Sequence, residues 1–313
     1  RIMKAYVMLV CTLLFKDCFK TCFRDEVIER TNLCKGSLHG KINRRKFQRD
    51  TNKPMIWIEY ALTGLLAGFL AGYLGIGGGL VLVPALSWLF SREPAIADMA
   101  VQMAVATSLA TMLFTSMSSL LAHHKRGAIL WSLVRQMIPG LLAGALLGSI
   151  IADRIGNVAL AKVFGVFALI VGLQMLIGTR RSGSASLPGW LPVTGTGFGI
   201  GTISSLLGIG GGSMTVPWLL WHGQRVQNAV ATAAACGYPI AIAGTLGFVI
   251  LGKGASSTPS LGYVHLPALA GVVVFSVLGA PLGVAAVHRS SPLLAKRFFA
   301  LFLLFVAVKM LLR

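Results

Sequence analysis

The fold is decided by Leu74-Gly75-Ile76-Gly77-Gly78-Gly79, a glycine cluster set in apolar sequence and followed at once by Leu80-Val81-Leu82-Val83-Pro84. The pattern returns 133 positions later as Leu207-Gly208-Ile209-Gly210-Gly211-Gly212, with Val216-Pro217 after it. We call Gly75–Gly79 the first glycine motif and Gly208–Gly212 the second glycine motif. Their spacing is too long for a solenoid repeat and indicates a duplicated half-protein.

Each glycine motif predicts a broken membrane helix. Glycine is unfavourable in a helix interior, and proline removes a backbone donor. Inside a bilayer, backbone groups freed in this way persist only where protein or a water-filled cavity satisfies them. Broken helices at corresponding positions of two halves therefore indicate a transport site. The alternative is that the glycines only allow close helix packing, as small residues do in membranes.

The composition predicts an all-α polytopic membrane protein of about 8–10 helical segments, in two homologous halves that each contain a glycine-broken helix. Of the 313 residues, 55% are hydrophobic and only 12% are charged. Apolar windows of about 20 residues, enough to cross a hydrocarbon core, recur along the chain. The net charge of +19 does not indicate nucleic-acid binding. Residues 1–54 carry +8, and the +11 of residues 55–313 lies almost all in short loops and at helix ends. No folded module with interleaved aromatic residues would present these charges to phosphates.

The chain divides into four segments. Residues 1–54 hold 13 Lys/Arg and 5 Asp/Glu and are interpreted as a basic tail, either native or extraneous to the fold; we favour the second, because Met55 would make a natural start. Residues 55–178 form the first membrane repeat, 179–187 a flexible linker, and 188–313 the second repeat. The repeats also match beyond the motifs, since Thr107 aligns with Thr232 and Gly144 with Gly279.

The residue types argue against an enzyme. From residue 55 onward the chain has only four carboxylates, Glu59, Glu93, Asp98 and Asp153, and none is paired in a catalytic arrangement. Neither a nucleophile with a base nor a metal-ligand cluster is evident. The cysteine spacing supports no zinc site or disulfide framework. The glycine motifs lack the Lys-Ser/Thr of a P-loop, so we expect no cofactor and no metal.

The chain resembles the sulfite exporter TauE/SafE family of membrane permeases. The resemblance rests on the paired G-I-G-G-G-x-x-x-x-P motifs, on Ala106-Thr107-Ser108-Leu109, and on the basic loop His123–Gly127 before Trp131. It covers about residues 55–313. It implies a multi-pass permease of the bacterial inner membrane that moves small sulfur-containing anions, such as sulfite or organosulfonates, outward by secondary transport. Because substrates differ among members, the anion class carries over better than sulfite itself.

The predicted substrate site combines backbone and side-chain donors. A helix that restarts after a glycine break offers unpaired N–H groups and a positive dipole end to an anion. We therefore expect an anion cradle with hydroxyl donors from the helices that follow each motif. Arg135, well inside a predicted span, is a candidate for charge compensation, although snorkelling to the interface is the alternative. The predicted site residues are Gly77, Gly78, Gly79, Thr107, Ser108, Gly210, Gly211, Gly212, Thr232 and Arg135.

Several alternatives stay open at this point. The halves are parallel or inverted, and we favour inverted halves because these bring two broken helices to a shared midplane site. Proton coupling is expected, since the sequence has no ATP-binding motif and few carboxylates for a sodium cage. The expected partners are a small anionic substrate and membrane lipid, with homo-oligomer formation left open. The competing function is a non-transporting membrane scaffold or assembly partner.

Overall fold

The computed structural model describes residues 43–74, 78–177, 188–252, 259–287 and 292–312. The tail up to residue 42, Gly77 and the linker at 179–187 lie outside these described residues. Within them the chain is almost entirely helical. The helices are α1 (Asn43–Leu74), α2 (Gly79–Phe90), α3 (Ala100–Lys125), α4 (Trp131–Ile177), α5 (Trp190–Leu207), α6 (Gly212–Trp221), α7 (Val226–Leu251), α8 (Leu266–Val287) and α9 (Pro292–Leu311).

The prediction of an all-α polytopic membrane protein is confirmed. Among the described residues, three stretches are long and apolar enough to cross a membrane: Ala97–Lys125, Trp131–Ile177 and Val226–Leu251. The two spans expected at 128–152 and 158–178 correspond to the two helical parts of α4, which the non-helical Gly156 (φ 74°, ψ 174°) separates. A short 3-10 turn, Ala97–Met99, precedes α3, and a small hairpin of β1 (Ser260–Leu261) and β2 (Val264–His265) precedes α8. Helix α1 begins at Asn43, inside the segment interpreted as a tail.

Small residues set the packing between the two repeats. Helix α1 of the first repeat packs on α8 of the second, and α5 of the second packs on α4 of the first. Gly144 lies against the backbone of Phe198 and Thr202, and its counterpart Gly279 lies against Leu65 and Phe69. A Cβ atom at either glycine would collide with that backbone, so these helices touch more closely than larger side chains allow. Helices α3 and α7 pack on each other at the centre.

One end of the helix bundle gathers all four carboxylates of residues 55–313. Arg92, which follows α2, pairs with Glu59 of α1 at 3.2 Å. Asn157, beside the bend of α4, accepts a hydrogen bond from the Val101 N–H at 2.7 Å. Asp153 accepts one from the Tyr263 hydroxyl at 2.8 Å. We call this the acidic end, defined by Glu59, Glu93, Asp98 and Asp153.

The opposite end carries basic residues, and we call it the basic end, defined by Lys125, Arg126, Arg135 and Arg225. At this end, the Leu130 N–H in the loop before α4 donates a hydrogen bond to the Thr232 hydroxyl of α7 at 3.1 Å. Helix α3 therefore begins at the acidic end, whereas α7, its counterpart in the second repeat, begins at the basic end. Helix α2 ends at the acidic end, where Arg92 meets Glu59 of α1, and α6 ends at the basic end, where Arg225 follows it.

Candidate functional site

Gly79 of the first glycine motif lies against the second glycine motif. Gly79, the first residue of α2, has no room for a side chain, because a Cβ atom there would meet the Gly208 carbonyl and come within 2.9 Å of the Ile209 Cα. The Ser108 hydroxyl, on α3, donates to the same Gly208 carbonyl at 2.8 Å. Two predicted site residues from the first repeat are thus joined directly to the second motif.

The turn into the second motif depends on one glycine conformation. Gly208 ends α5 in the left-handed region at φ 66°, ψ 29°, which side chains other than glycine rarely adopt. The N–H of Ile209 then donates to the Ser204 carbonyl at 2.9 Å. This C-terminal cap ends α5 abruptly and redirects the chain toward α6.

The other motif glycines lie at helix starts. Gly78 precedes α2 at φ −71°, and Gly211 precedes α6 at φ −53°, both without a side-chain cap. Because both φ angles are negative, backbone strain is no barrier to alanine at either position. Gly210 lies near Met112 of α3, whose sulfur is 3.5 Å from the position of an added Cβ atom. Gly212 is the first residue of α6.

Thr107 and Thr232 bind backbone across the two repeats. The buried Thr107 hydroxyl accepts the N–H of His265 at 3.1 Å, at the acidic end. The buried Thr232 hydroxyl accepts the N–H of Leu130 at 3.1 Å, at the basic end. Each threonine thus anchors the loop of the other repeat. Their predicted role as substrate donors stays a prediction beside this structural role.

Arg135 does not join the glycine motifs. Its side chain is exposed in the first turns of α4, near the basic end. None of the hydrogen bonds or ion pairs among the described residues connects it to either motif. This placement fits the alternative of a cation held at the membrane interface.

Sequence analysis missed four hydroxyls that flank the second motif. Ser204 and Ser205 lie in the last turn of α5, and Ser213 and Thr215 in the first turn of α6. All four oxygens are buried, and none has a hydrogen-bond partner in the described part of the chain. A comparison of the repeats distinguishes these hydroxyls, because the corresponding positions of the first repeat have no hydroxyl. Those positions hold Ala71, Gly72, Leu80 and Leu82.

The geometry around the second motif suits an anion. Helix α6 starts without a side-chain cap, so its first N–H groups and positive dipole end face the loop at Gly210 and Gly211. The unpartnered hydroxyls of Ser213 and Thr215 lie in the first turn of α6 and add further donors. Within the described residues, no group of three or more His, Cys, Asp or Glu could hold a metal ion.

The acidic end is held by a contact outside the motifs. Burial, and then the hydrogen bond to Asp153, raise the pKa of Tyr263 to about 12. The phenol therefore stays protonated at neutral pH and keeps donating to the carboxylate. This contact fixes the loop before α8 against the bend of α4.

Comparison with known proteins places the chain in a family. The family model "Sulfite exporter TauE/SafE" matches residues 60–310. A probable membrane transporter protein of Haemophilus influenzae is 36% identical over 256 residues, covering 80% of this chain and 97% of its own length. A probable membrane transporter protein of Methanocaldococcus jannaschii is 27% identical, covering 74% of this chain and 86% of its own length. One of Bacillus subtilis is 25% identical, covering 53% of this chain and 68% of its own length. No solved structure matches. The chain is a membrane transporter protein that belongs to the sulfite exporter TauE/SafE family.

Proposed function

We propose that this transporter is a permease of the bacterial inner membrane that exports small sulfur-containing anions, such as sulfite or organosulfonates, by secondary transport. The observation that carries the proposal is the contact between the two glycine motifs, where Gly79 lies against Gly208 and Ile209. This contact brings the start of α2 to the loop that leads into α6. Two broken helices that meet inside a membrane bundle are the arrangement expected of a substrate site.

The two repeats are, in this proposal, inverted relative to each other. The support comes from α3 and α7, which begin at opposite ends of the bundle, and from the reciprocal hydrogen bonds of Thr107 and Thr232. Inverted repeats allow alternating access, because one repeat can rock against the other around a fixed central site. The central site is then formed by one glycine motif from each repeat, as that mechanism requires.

The basic end is proposed to face the cytoplasm. Short cytoplasmic loops of membrane proteins carry an excess of Lys and Arg. Lys125, Arg126 and Arg225 lie at this end, whereas Arg92 and Arg154 lie at the other end among the carboxylates. The second motif would then be approached from the cytoplasm along α5 and α6, which is the direction that export requires. Proton-driven coupling is part of the proposal.

The first test is stabilisation of the purified protein by anions. We expect sulfite or an alkyl sulfonate such as methanesulfonate to raise the melting temperature in detergent, because a ligand that binds only the folded state stabilises it. Chloride at the same ionic strength controls for a general salt effect. A protein that none of these anions stabilises would contradict the proposal and favour the scaffold alternative.

A further inference from the structure

We propose that the second glycine motif alone holds the anion, through the hydroxyls of Ser204, Ser205, Ser213 and Thr215, and that the site selects singly charged oxyanions over doubly charged ones. This inference deepens the proposed function and rests on it. We call these four residues the hydroxyl set.

The hydroxyl set, like Thr245 of α7, has buried oxygens without a hydrogen-bond partner among the described residues, whereas two other hydroxyls of α5 are bonded. On α5, Thr196 donates to the Pro192 carbonyl at 2.9 Å, and Thr202 to the Phe198 carbonyl at 2.9 Å. That bond to the preceding turn is the ordinary solution for a hydroxyl in a membrane helix. Ser204 and Ser205, in the next turn of the same helix, do not make it and are fully buried. Buried polar groups are nearly always paired, so an unpaired group implies a partner that is absent from the protein itself.

The hydroxyls on α6 lie at its uncapped start. Thr215 is 0% exposed, and its oxygen lies 3.4 Å from the position of an added Cβ atom at Gly211, the residue that precedes the helix. Ser213 lies one residue beyond the first of the helix, and its oxygen is also unpartnered. An anion at this helix start would accept hydrogen bonds from backbone N–H groups and from hydroxyls together.

The first motif has no hydroxyl residues at the positions that correspond to the hydroxyl set. At the positions of Ser213 and Thr215 it has Leu80 and Leu82, which are 0% and 2% exposed and belong to the hydrophobic core. The space beside its Gly79 is occupied by the backbone of the second motif. Duplication therefore gave one motif that binds and one that supports it by packing.

The charge of the site limits the charge of its ligand. The hydroxyl oxygens have no partner in the described structure, so no lysine, arginine or histidine side chain is bonded to them. One helix start supplies only about half an elementary charge. Moving an ion out of water becomes much more costly as its charge rises, and hydroxyls alone offset this poorly for a dianion. The ligand class is accordingly an oxyanion with one negative charge, such as an alkyl sulfonate or hydrogensulfite.

The ligand series tests the charge preference in the wild-type protein. Methanesulfonate, which stays singly charged, should bind at least about tenfold more tightly than sulfate, which stays doubly charged, in calorimetric titrations. Sulfite should bind more tightly as the pH falls through neutrality and hydrogensulfite forms, while methanesulfonate should keep a constant affinity. Sulfate binding as tightly as methanesulfonate would overturn the charge preference.

Ser213→Ala and Thr215→Val test the residues. Each should weaken methanesulfonate binding about tenfold, as expected for a lost hydrogen bond to a charged group. The melting temperature without ligand should not fall, because each change removes an unpaired buried polar group. Thr202→Val, on α5, is the matched control and should leave the affinity unchanged. Should both variants bind as the wild type does, the hydroxyls pair only with water and the site assignment fails. A wild type that binds no anion would refute the proposed function itself.

Discussion

At the residue scale, neighbouring glycines of the first motif have different roles. A Cβ atom at Gly78 would make only ordinary contacts, the nearest at 3.6 Å to the Ala67 carbonyl and to Leu82. A Cβ atom at Gly79 would collide with backbone of the second motif. The sequence shows both simply as members of a glycine run, because it carries no information on which glycine touches the other repeat.

Gly79→Ala should therefore destabilise the protein by about 1–3 kcal/mol, the usual cost of overpacking. Gly78→Ala is the matched control and should melt within a degree or two of the wild type, because its backbone is helical and its Cβ has space. Thermal unfolding in detergent measures both. Equal melting temperatures for the two variants would contradict the contact between the motifs.

Thr107 and Thr232 give a second prediction at this scale. Thr107→Val and Thr232→Val each leave a backbone N–H without its acceptor, at His265 and at Leu130 respectively. Each should cost about 1–3 kcal/mol of stability, the penalty for an unsatisfied buried donor. Thr111→Val, which removes only a hydroxyl bonded to its own helix, should cost less. Variants that keep full stability but lose anion binding would instead support the substrate-donor role predicted from sequence.

At the element scale, the sequence predicts the helices well and their connections less well. Apolar runs predicted the three long apolar stretches found among the described residues, and α2 and α6 begin at Gly79 and Gly212 of the two motifs. The polar Asp153-Arg154 predicts an interruption between two spans, and the structure has the non-helical Gly156 there, between the two parts of α4. The hydroxyl set was missed because Ser and Thr are ordinary in membrane helices, and only their contacts show that they are unpaired.

The bend gives a prediction for this scale. Gly156 has φ 74° and ψ 174°, a region that only glycine occupies readily, so Gly156→Ala should cost about 1–3 kcal/mol. Gly195→Ala, in α5, is the control, because no atom lies within 4 Å of its added Cβ and alanine favours helix. It should leave the melting temperature unchanged or raise it. A tolerated Gly156→Ala would mean that α4 can connect its two parts in another way.

At the scale of the whole molecule, the ends of the bundle could not be assigned from the sequence. The number of basic residues on each side depends on whether the two helices around each glycine motif together cross the membrane once or turn back. The sequence does not distinguish these two arrangements. In the structure, the Glu59–Arg92 pair brings the loop after α2 to the Glu59 side chain of α1, and the Tyr263–Asp153 bond brings the hairpin before α8 to the bend in α4. These contacts together define the end at which the carboxylates lie.

Cysteine labelling tests the proposed orientation. In a background with Cys11, Cys18, Cys22 and Cys34 replaced by serine, Ala95→Cys at the acidic end should react with an impermeant maleimide added to whole cells. His124→Cys at the basic end should react only after the membrane is opened. The native Cys236 is fully buried and should not interfere. Labelling of both positions from outside would reject the arrangement of the ends.

The most direct test of the central claim, that the meeting point of the glycine motifs carries small sulfur-containing anions across the membrane, is flux of labelled sulfite in reconstituted vesicles. Wild-type vesicles should move sulfite faster than empty vesicles, and an opposed proton gradient should change the rate. Vesicles with Thr215→Val should lose most of this flux, while those with Thr202→Val should retain it. Flux no greater than in empty vesicles, at a protein content that preserves folding, would contradict the account.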